Sequence, residues 1–371
     1  MLTILTIIGT RPEAIKLAPV IRQLQQHPEC VRSLVCVTGQ HRDLLNPMLA
    51  WFNIKPDYDL NLMRSQQTLA YLTSAILEAL DKILSQERPD WVLVQGDTTT
   101  ALAGALAAFY QKIKVGHVEA GLRSGNRHQP FPEEINRRMI DQLATLHFTP
   151  TKTTEQNLLQ EGLPAKTIHI TGNTVIDALL ETISNHNHRP NGSLTTIPQD
   201  RRLILVTTHR RENFGEPLHN ICLAVRELAH TVQDSHFVLP VHPNPQVTTT
   251  VQRVLSQTPN VSLIKPLDYV SLTHLMRRCY LILTDSGGIQ EEAPSLGIPV
   301  LVLRTETDRP EAAEAGVARI IGTNKTEILC EVKQLLNNES LYKRMSKVTH
   351  IYGDGQAARR IVNILLTWTD A

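Results

Sequence analysis

Short apolar runs rich in β-branched residues alternate with helix-length segments along the chain. LTILTII near the start, SLVCV (33–37), WVLVQ (91–95), KVGHV (114–118), LHFT (146–149) and TIHIT (167–171) form one series. RLILVTT (202–208), HFVLP (236–240), VSLI (261–264), YLILT (280–284) and PVLVL (299–303) form a second. Such a strand–helix rhythm predicts parallel sheets covered by helices on both faces, and two series predict two doubly wound α/β domains. The polar stretch NHNHRPNGSLTTIPQD (185–200) is the least structured and separates the series, although the border itself could lie earlier, near TGNT (171–174). GQAARRIVNILLTW (355–368) has the spacing of a final amphipathic helix.

Composition narrows the class. The length of 371 residues suits two domains, each able to bury a core, and 42% hydrophobic residues is ordinary for a soluble globular chain. Lys and Arg number 37 against 36 Asp and Glu, and this balance offers no electrostatic footprint for nucleic acid or an anionic membrane. An anion must therefore be met by local groups. LTILTII is too short to span a bilayer and lacks a signal peptide's basic region and cleavage site, so it reads as a first strand of an intracellular, cytoplasmic protein. Five single cysteines (30, 36, 222, 279, 330) without CxxC read as core filler rather than as a zinc site or disulfide framework. Fifteen histidines include no HExxH, and no metal or cofactor is expected.

Ligands of doubly wound sheets sit beyond the carboxyl ends of strands, where this chain keeps its unusual clusters. In DSGGIQEEAPSLGIPV (285–300), Gly287 and Gly288 are expected to let the backbone turn sharply after a buried strand, with a helix from Ile289 to Leu296 closed by Gly297. Free amides at that helix start suit a phosphate, and Glu291 or Glu292, too deep to cap it, could accept hydrogen bonds from a ribose. An ordinary turn followed by solvated acids is the competing reading. GTRPEAIKLAPV (9–20) is not GxGxxG; Gly9 permits a turn, Pro12 suits a helix start, and Arg11 and Lys16 face either an anion or solvent.

Carboxylates gather after other strands. QGDTTT (95–100) places Asp97 as a helix cap or a cleft group, HVEAGLRS (117–124) adds Glu119 and Arg123, and PFPEEINRRMID (130–141) opens a helix with Glu133 and Glu134. From the second half, THRREN (208–213) brings His209, with Arg210 and Arg211 open to a phosphate or to Glu212. HPNP (242–245) follows another strand, and RTETDRPEAAEAG (304–316) brings Arg309 and Glu311. No GxSxG elbow supports a serine hydrolase. A phosphate-binding turn in one domain and carboxylates in the other, meeting in a cleft, suit a nucleotide sugar.

GTRPEAIKLAPV, QGDT, HVEAGLRS, PFPEEINRR, TGNTVID, THRREN and DSGGIQEEAPSLGIPVLVLR, in this order and spacing from about residue 9 to 316, resemble the non-hydrolysing UDP-N-acetylglucosamine 2-epimerases. The resemblance implies two Rossmann-like domains of the glycosyltransferase-B type: 1–172, with a helix over 356–371 packing back on it, and a UDP-binding domain over 173–355. It implies a homodimer and interconversion of UDP-N-acetylglucosamine and UDP-N-acetylmannosamine through elimination of UDP to a 2-acetamidoglucal and its re-addition. Carried over by motif, Asp97, Glu119, Glu133 and His209 form the acid/base set, with Asp97 and Glu119 preferred as the proton-transfer pair. Arg11 and Lys16 lie by the diphosphate and sugar, Ser286, Gly287 and Gly288 hold phosphate, Glu292 meets the ribose and Arg309 the diphosphate or sugar. Some bacterial members are activated by UDP-N-acetylglucosamine at a second site, for which TGQHRDLL (38–45) offers Gln40, His41 and Arg42; LMRSQQTL (62–69) departs from the family there. The product would feed surface polysaccharide synthesis. Competing readings are a hydrolysing relative that releases UDP and N-acetylmannosamine, a glycosyltransferase of the same fold, and a catalytically silent nucleotide-sugar sensor, which would be expected to have lost some of the acids.

Overall fold

In the computed structural model, which describes residues 1–39, 42–64, 67–185, 194–307 and 309–369 (side chains of 42–44 excepted), every apolar run of both series forms a strand. The chain separates into two compact units, Met1–Ala178 with Tyr352–Ala371, and Leu179–Ile351. In the first unit the strands are β1 (Leu2–Ile8), β2 (Val31–Val37), β3 (Tyr58–Asp59), β4 (Trp91–Gln95), β5 (Lys114–Val118), β6 (Leu146–Thr149) and β7 (Ile168–Ile170). They alternate with helices α1 (Arg11–Gln25), α2 (Arg42–Trp51), α3 (Leu69–Glu87), α4 (Thr99–Tyr110), α5 (Glu133–Leu143) and α6 (Lys152–Gln160). α7 (Thr174–Ser184) leads the chain out of this unit.

The second unit holds β8 (Arg202–Thr207), β9 (Ser235–Pro240), β10 (Val261–Ile264), β11 (Leu281–Thr284), β12 (Val300–Val302) and β13 (Ala318–Ile320). Its helices are α8 (Glu216–Thr231), α9 (Pro245–Leu255), α10 (Tyr269–Arg277), α11 (Gly287–Ser295), α12 (Pro310–Glu314), α13 (Lys325–Asn337) and α14 (Glu339–Met345). The chain then returns to the first unit as α15 (Ala357–Thr367).

Both sheets are parallel throughout. The first runs β3-β2-β1-β4-β5-β6-β7 and the second β10-β9-β8-β11-β12-β13. Each therefore reverses its winding once, between β1 and β4 and between β8 and β11, and a crevice opens where adjacent strands send their chains to opposite faces. The register there pairs Leu5 with Val92 and Leu283 with Val206, and Thr207 and Thr284 share a 2.6 Å hydroxyl hydrogen bond at the second switch point. GTRPEAIKLAPV and QGDTTT flank the first switch point; THRREN and DSGGIQEE flank the second.

Several local expectations need correction. Gly287 and Gly288 do not make a sharp turn: neither has positive φ, both belong to the first turn of α11, and extended Ser286 (φ −80°, ψ 125°) directs the chain. Gly9 also lacks positive φ; a Cβ there would stand 2.1 Å from Thr100 Oγ1, so its need is close approach to α4. Thr10 caps α1, which puts Pro12 one position further in than expected. β3 and β13, two and three residues long, have too few positions to show a pattern. Cys36, Cys222 and Cys279 do fill the core, and burial pushes their thiols up to about 12, but Cys30 is half-buried and Cys330 exposed.

α15 buries Ala357, Ala358, Ile361, Val362 and Leu365, one stripe at helical spacing, and packs on α1. Asp177 caps it, accepting the backbone N–H groups of Ala357 (3.3 Å) and Ala358 (2.9 Å). Among the described residues no helix is long and apolar enough to cross a membrane. Of the 185–200 stretch, residues 186–193 lie outside the described residues.

Candidate active site

In the first unit, Glu119 follows β5 in a left-handed conformation (φ +67°), which costs a non-glycine residue about 1 kcal/mol. Its own N–H and that of Ala120 both reach the Phe148 carbonyl, at 3.0 and 3.1 Å, and fix the turn. The carboxylate, almost wholly buried, accepts Lys16 Nζ at 2.5 and 2.7 Å, Asn173 Nδ2 at 3.0 Å and Gln95 Nε2. Lys16, expected beside a diphosphate, is thus held by Glu119. A low-dielectric setting strengthens that pair and makes loss of either partner costly.

Asp97 lies one residue beyond Gly96 (φ +69°), which ends the β4 turn. It is not the cap of α4: Thr98 is, accepting the Ala101 N–H at 3.0 Å. The Asp97 carboxylate instead pairs with Arg137 Nη2 at 2.7 Å, and its backbone carbonyl accepts Asn136 Nδ2 at 2.9 Å. Burial raises the Asp97 pKa; Arg137 opposes the rise, while the charges of Glu119 and Glu133 add to it. Glu133 opens α5, and its Oε2 and the Arg137 Nη1 are buried without a hydrogen-bond partner among the described residues. Arg11 is exposed at the start of α1. Arg123 serves a structural pairing, to Asp141 at 2.7 Å and Glu161 at 2.6 Å.

Glu13, not singled out by sequence, underlies both loops. Its buried carboxyl accepts Gly9 N–H at 3.0 Å, Thr10 N–H at 2.6 Å and Thr98 Oγ1–H at 2.7 Å, joining the turn after β1 to the turn after β4. Burial drives its pKa up to about 7 against these hydrogen bonds.

In the second unit, Asp285 organises the switch point. Fully buried, it accepts backbone N–H from His209 (3.0 Å) and Arg210 (3.0 Å) and Nδ2–H from Asn213 (2.9 Å). It also receives His209 Nδ1 at 3.0 Å. Burial raises the Asp285 pKa, but the His209 hydrogen bond and the other donors prevail and hold it below the usual range. With Nδ1 engaged, Nε2 is the nitrogen left on a side chain 46% exposed.

α11 begins beside two guanidinium groups. A Cβ on Gly287 would lie 3.6 Å from both Arg210 Nη2 and Arg309 Cζ, one on Gly288 would meet nothing within 4 Å, and the Ser286 side chain makes no capping bond. Bare amides, a hydroxyl and two cations together form a cradle for an anion. Arg210 is fixed by Nε donating to the Asp285 carbonyl (3.0 Å) and Arg309 by Nε donating to Glu291 (2.7 Å). Glu291 thereby holds the Arg309 side chain in place. Glu292 is 5% exposed and raises the Tyr269 pKa, after burial the largest influence on that hydroxyl. Glu212 pairs with Arg304 (2.8 Å) rather than with Arg210 or Arg211.

Gln40 and His41 lie outside the described residues, and Arg42 opens α2 with its side chain likewise outside them. Among the described residues one group, His27, Glu29 and Cys30, has donor atoms close enough to hold an ion; it occupies the loop between α1 and β2, at the amino end of the strands. Sequence reading also passed over Gln95, Arg137, Asn173 and Asp285. Gln95 and Asp285 had a signal, a polar residue at the end of a buried strand, but Arg137 and Asn173 are recognisable only from what they touch.

The family described as UDP-N-acetylglucosamine 2-epimerase matches residues 22–366. The UDP-N-acetylglucosamine 2-epimerase of Escherichia coli K12 is 52% identical over 368 residues, 98% of each chain. The UDP-GlcNAc 2-epimerase of Neisseria meningitidis, solved bound to UDP-GlcNAc, is similar with a TM-score of 0.92 and 46% identity over 99% of this chain and 100% of that one. MnaA of S. aureus, solved with UDP, has a TM-score of 0.89 and 48% identity over 98% and 96%.

Proposed function

We propose, for a chain that belongs to the UDP-N-acetylglucosamine 2-epimerase family, reversible interconversion of UDP-N-acetylglucosamine and UDP-N-acetylmannosamine without hydrolysis. The C2 hydrogen beside an acetamide nitrogen is only weakly acidic, so loss and simple return of that proton is a poor route. Elimination avoids the difficulty. A carboxylate takes the C2 proton, the C–H electrons form the C1=C2 bond, and the C1–O bond breaks with its electrons leaving on UDP. Re-addition of UDP at C1 with a proton delivered to the other face of C2 completes the change.

The observation that carries this reading is the division of chemistry between the two switch points: acids after β1, β4 and β5 in one unit, an anion cradle after β8 and β11 in the other. Asp97 and Glu119 are the proposed proton-transfer pair. The raised Asp97 pKa brings that carboxyl nearer to neutrality, where general acid–base groups work best. Glu133 and His209 assist, Arg11 and Lys16 attend the diphosphate and sugar, and Glu292 meets the ribose. Ser286, the amides of Gly287 and Gly288, and the guanidinium of Arg309 stabilise the departing diphosphate, to which the site's geometry adds Arg210. A homodimer in the cytoplasm supplying N-acetylmannosamine units for surface polysaccharide belongs to the same proposal. So does activation by UDP-N-acetylglucosamine through Gln40, His41 and Arg42.

Incubation with UDP-N-acetylglucosamine in D2O, followed by proton NMR, tests the reading. Both UDP sugars with deuterium at C2 are expected. Free N-acetylmannosamine and UDP would replace it with the hydrolysing reaction, and unchanged substrate retaining its C2 proton would overturn it.

A further inference from the structure

We infer that His117 and Asp141 form a buried couple that positions Asp97, braced from behind by Arg123 and Glu161. His117 ends its ring on Gly96: Nε2 lies 2.8 Å from that carbonyl oxygen, on the peptide that leads into Asp97. Nδ1 lies 2.6 Å from Asp141 Oδ1, and neither side chain is exposed to solvent. Asp141 Oδ2 accepts Arg123 Nη2 at 2.7 Å, and Arg123 grips Glu161 through Nη2 at 2.6 Å and Nε at 2.8 Å. The line of contacts runs from a partly exposed carboxylate to the turn that carries the proposed proton-transfer group.

Two features separate this from ordinary attachment of a helix to a sheet. The first is convergence. The Gly96 carbonyl is held by His117, the Asp97 carbonyl by Asn136 and the Asp97 carboxylate by Arg137. Asn136, Arg137 and Asp141 all belong to α5, whose first residue is Glu133. One rigid helix therefore fixes two of the proposed acid/base groups against each other, and β5 supplies the third point through His117. The second feature is the chemistry of the ring's partners. A carbonyl oxygen and a carboxylate that already takes an arginine can only accept, so both ring nitrogens must donate. Loss of the Asp141 charge removes the reason for the second ring proton and frees the ring to turn away from Gly96.

The inference rests on the proposed epimerisation, with Asp97 in proton transfer. Its test is Asp141→Asn and His117→Gln in the full-length protein, with kinetics and 15N spectra of the imidazole. In the wild type both nitrogens of the His117 ring should carry hydrogen; in Asp141→Asn one should lose it. A shift of the catalytic carboxyl by about 1 Å costs on the order of 10²-fold, so kcat should fall by about that factor with KM within about threefold. UDP affinity should not change. A wild-type ring with a single proton, or folded variants at wild-type kcat, overturns the couple. Should neither variant fold, Glu161→Gln loosens only the partly exposed end, and a kcat lowered severalfold at constant KM supports the brace whereas an unchanged kcat refutes it. A wild type that does not epimerise at all would instead refute the proposed function, and the ring spectrum would still decide the couple.

Discussion

The Asp97 carboxylate pairs with Arg137, and burial raises its pKa, the setting in which proton transfer is proposed for it. Asp97→Asn keeps the shape and removes the base; turnover should drop by about 10²- to 10⁴-fold while UDP affinity, read by calorimetry, stays near wild type. Loss of UDP binding would make Asp97 a structural residue. Glu13 gives a second test through stability. Its folded pKa is about 7 against an ordinary 4.5, so between these values the folded state binds a proton that the unfolded chain has released. Unfolding free energy therefore contains a contribution that is full below pH 4.5 and fades as pH rises through 7, on the order of 3 kcal/mol. Glu13→Gln cannot titrate, so wild type should lose ground to this variant between pH 5 and 7.5 in denaturant melts; a constant difference would show that Glu13 keeps its proton balance on folding. Asp97, Glu119 and His209 were legible in the sequence because each lies within two residues of the end of a buried strand. Glu13 and Arg137 were not, because a charged residue within a helix does not announce which face it shows.

At the level of elements, α11 and α1 use glycine for different reasons. A methyl on Gly287 meets the two arginines at ordinary contact distance, and the position is helical, so Gly287→Ala should fold with undiminished Tm, helped by up to about 1 kcal/mol of helix propensity. The same methyl occupies the proposed phosphate cradle, and UDP affinity should fall about tenfold or more in titration. Unchanged affinity would move the phosphate elsewhere. Gly9→Ala should behave in the opposite way, since its Cβ overlaps Thr100 Oγ1; a loss of about 1–3 kcal/mol in chemical denaturation is expected. The strand series was readable because buried parallel strands are nearly continuous apolar runs. Helix starts were not read to the residue: extended Ser286 makes the turn that the glycine pair had suggested. α5 shows the limit most plainly, since its two leading acids were visible while the Asn136, Arg137 and Asp141 face that ties the helix to Asp97 and His117 was not.

For the whole molecule, the proposed dimer needs an apolar face, and α4 ends in one: Phe109 and Tyr110 are 54% and 68% exposed beside a hollow that Ile113 and Leu143 also line. A second copy seated there would cover side chains that water otherwise meets. Phe109→Glu should convert a dimer to a monomer in light scattering; a dimer that survives the change uses another face. The two-domain α/β plan was legible from the rhythm of runs alone. What spacing could not say is where the chain changes unit within α7 or that Asp177, on that helix, caps α15. That return has a consequence for biosynthesis. Residues 179–351 are contiguous and can close their core as soon as they leave the ribosome, whereas the half translated first lacks the Ile361, Val362 and Leu365 stripe until residues beyond 352 are made. The domain that begins the chain is thus finished after the one that follows it, and during that interval α1 presents an open apolar face to whatever chaperone or neighbouring chain it meets.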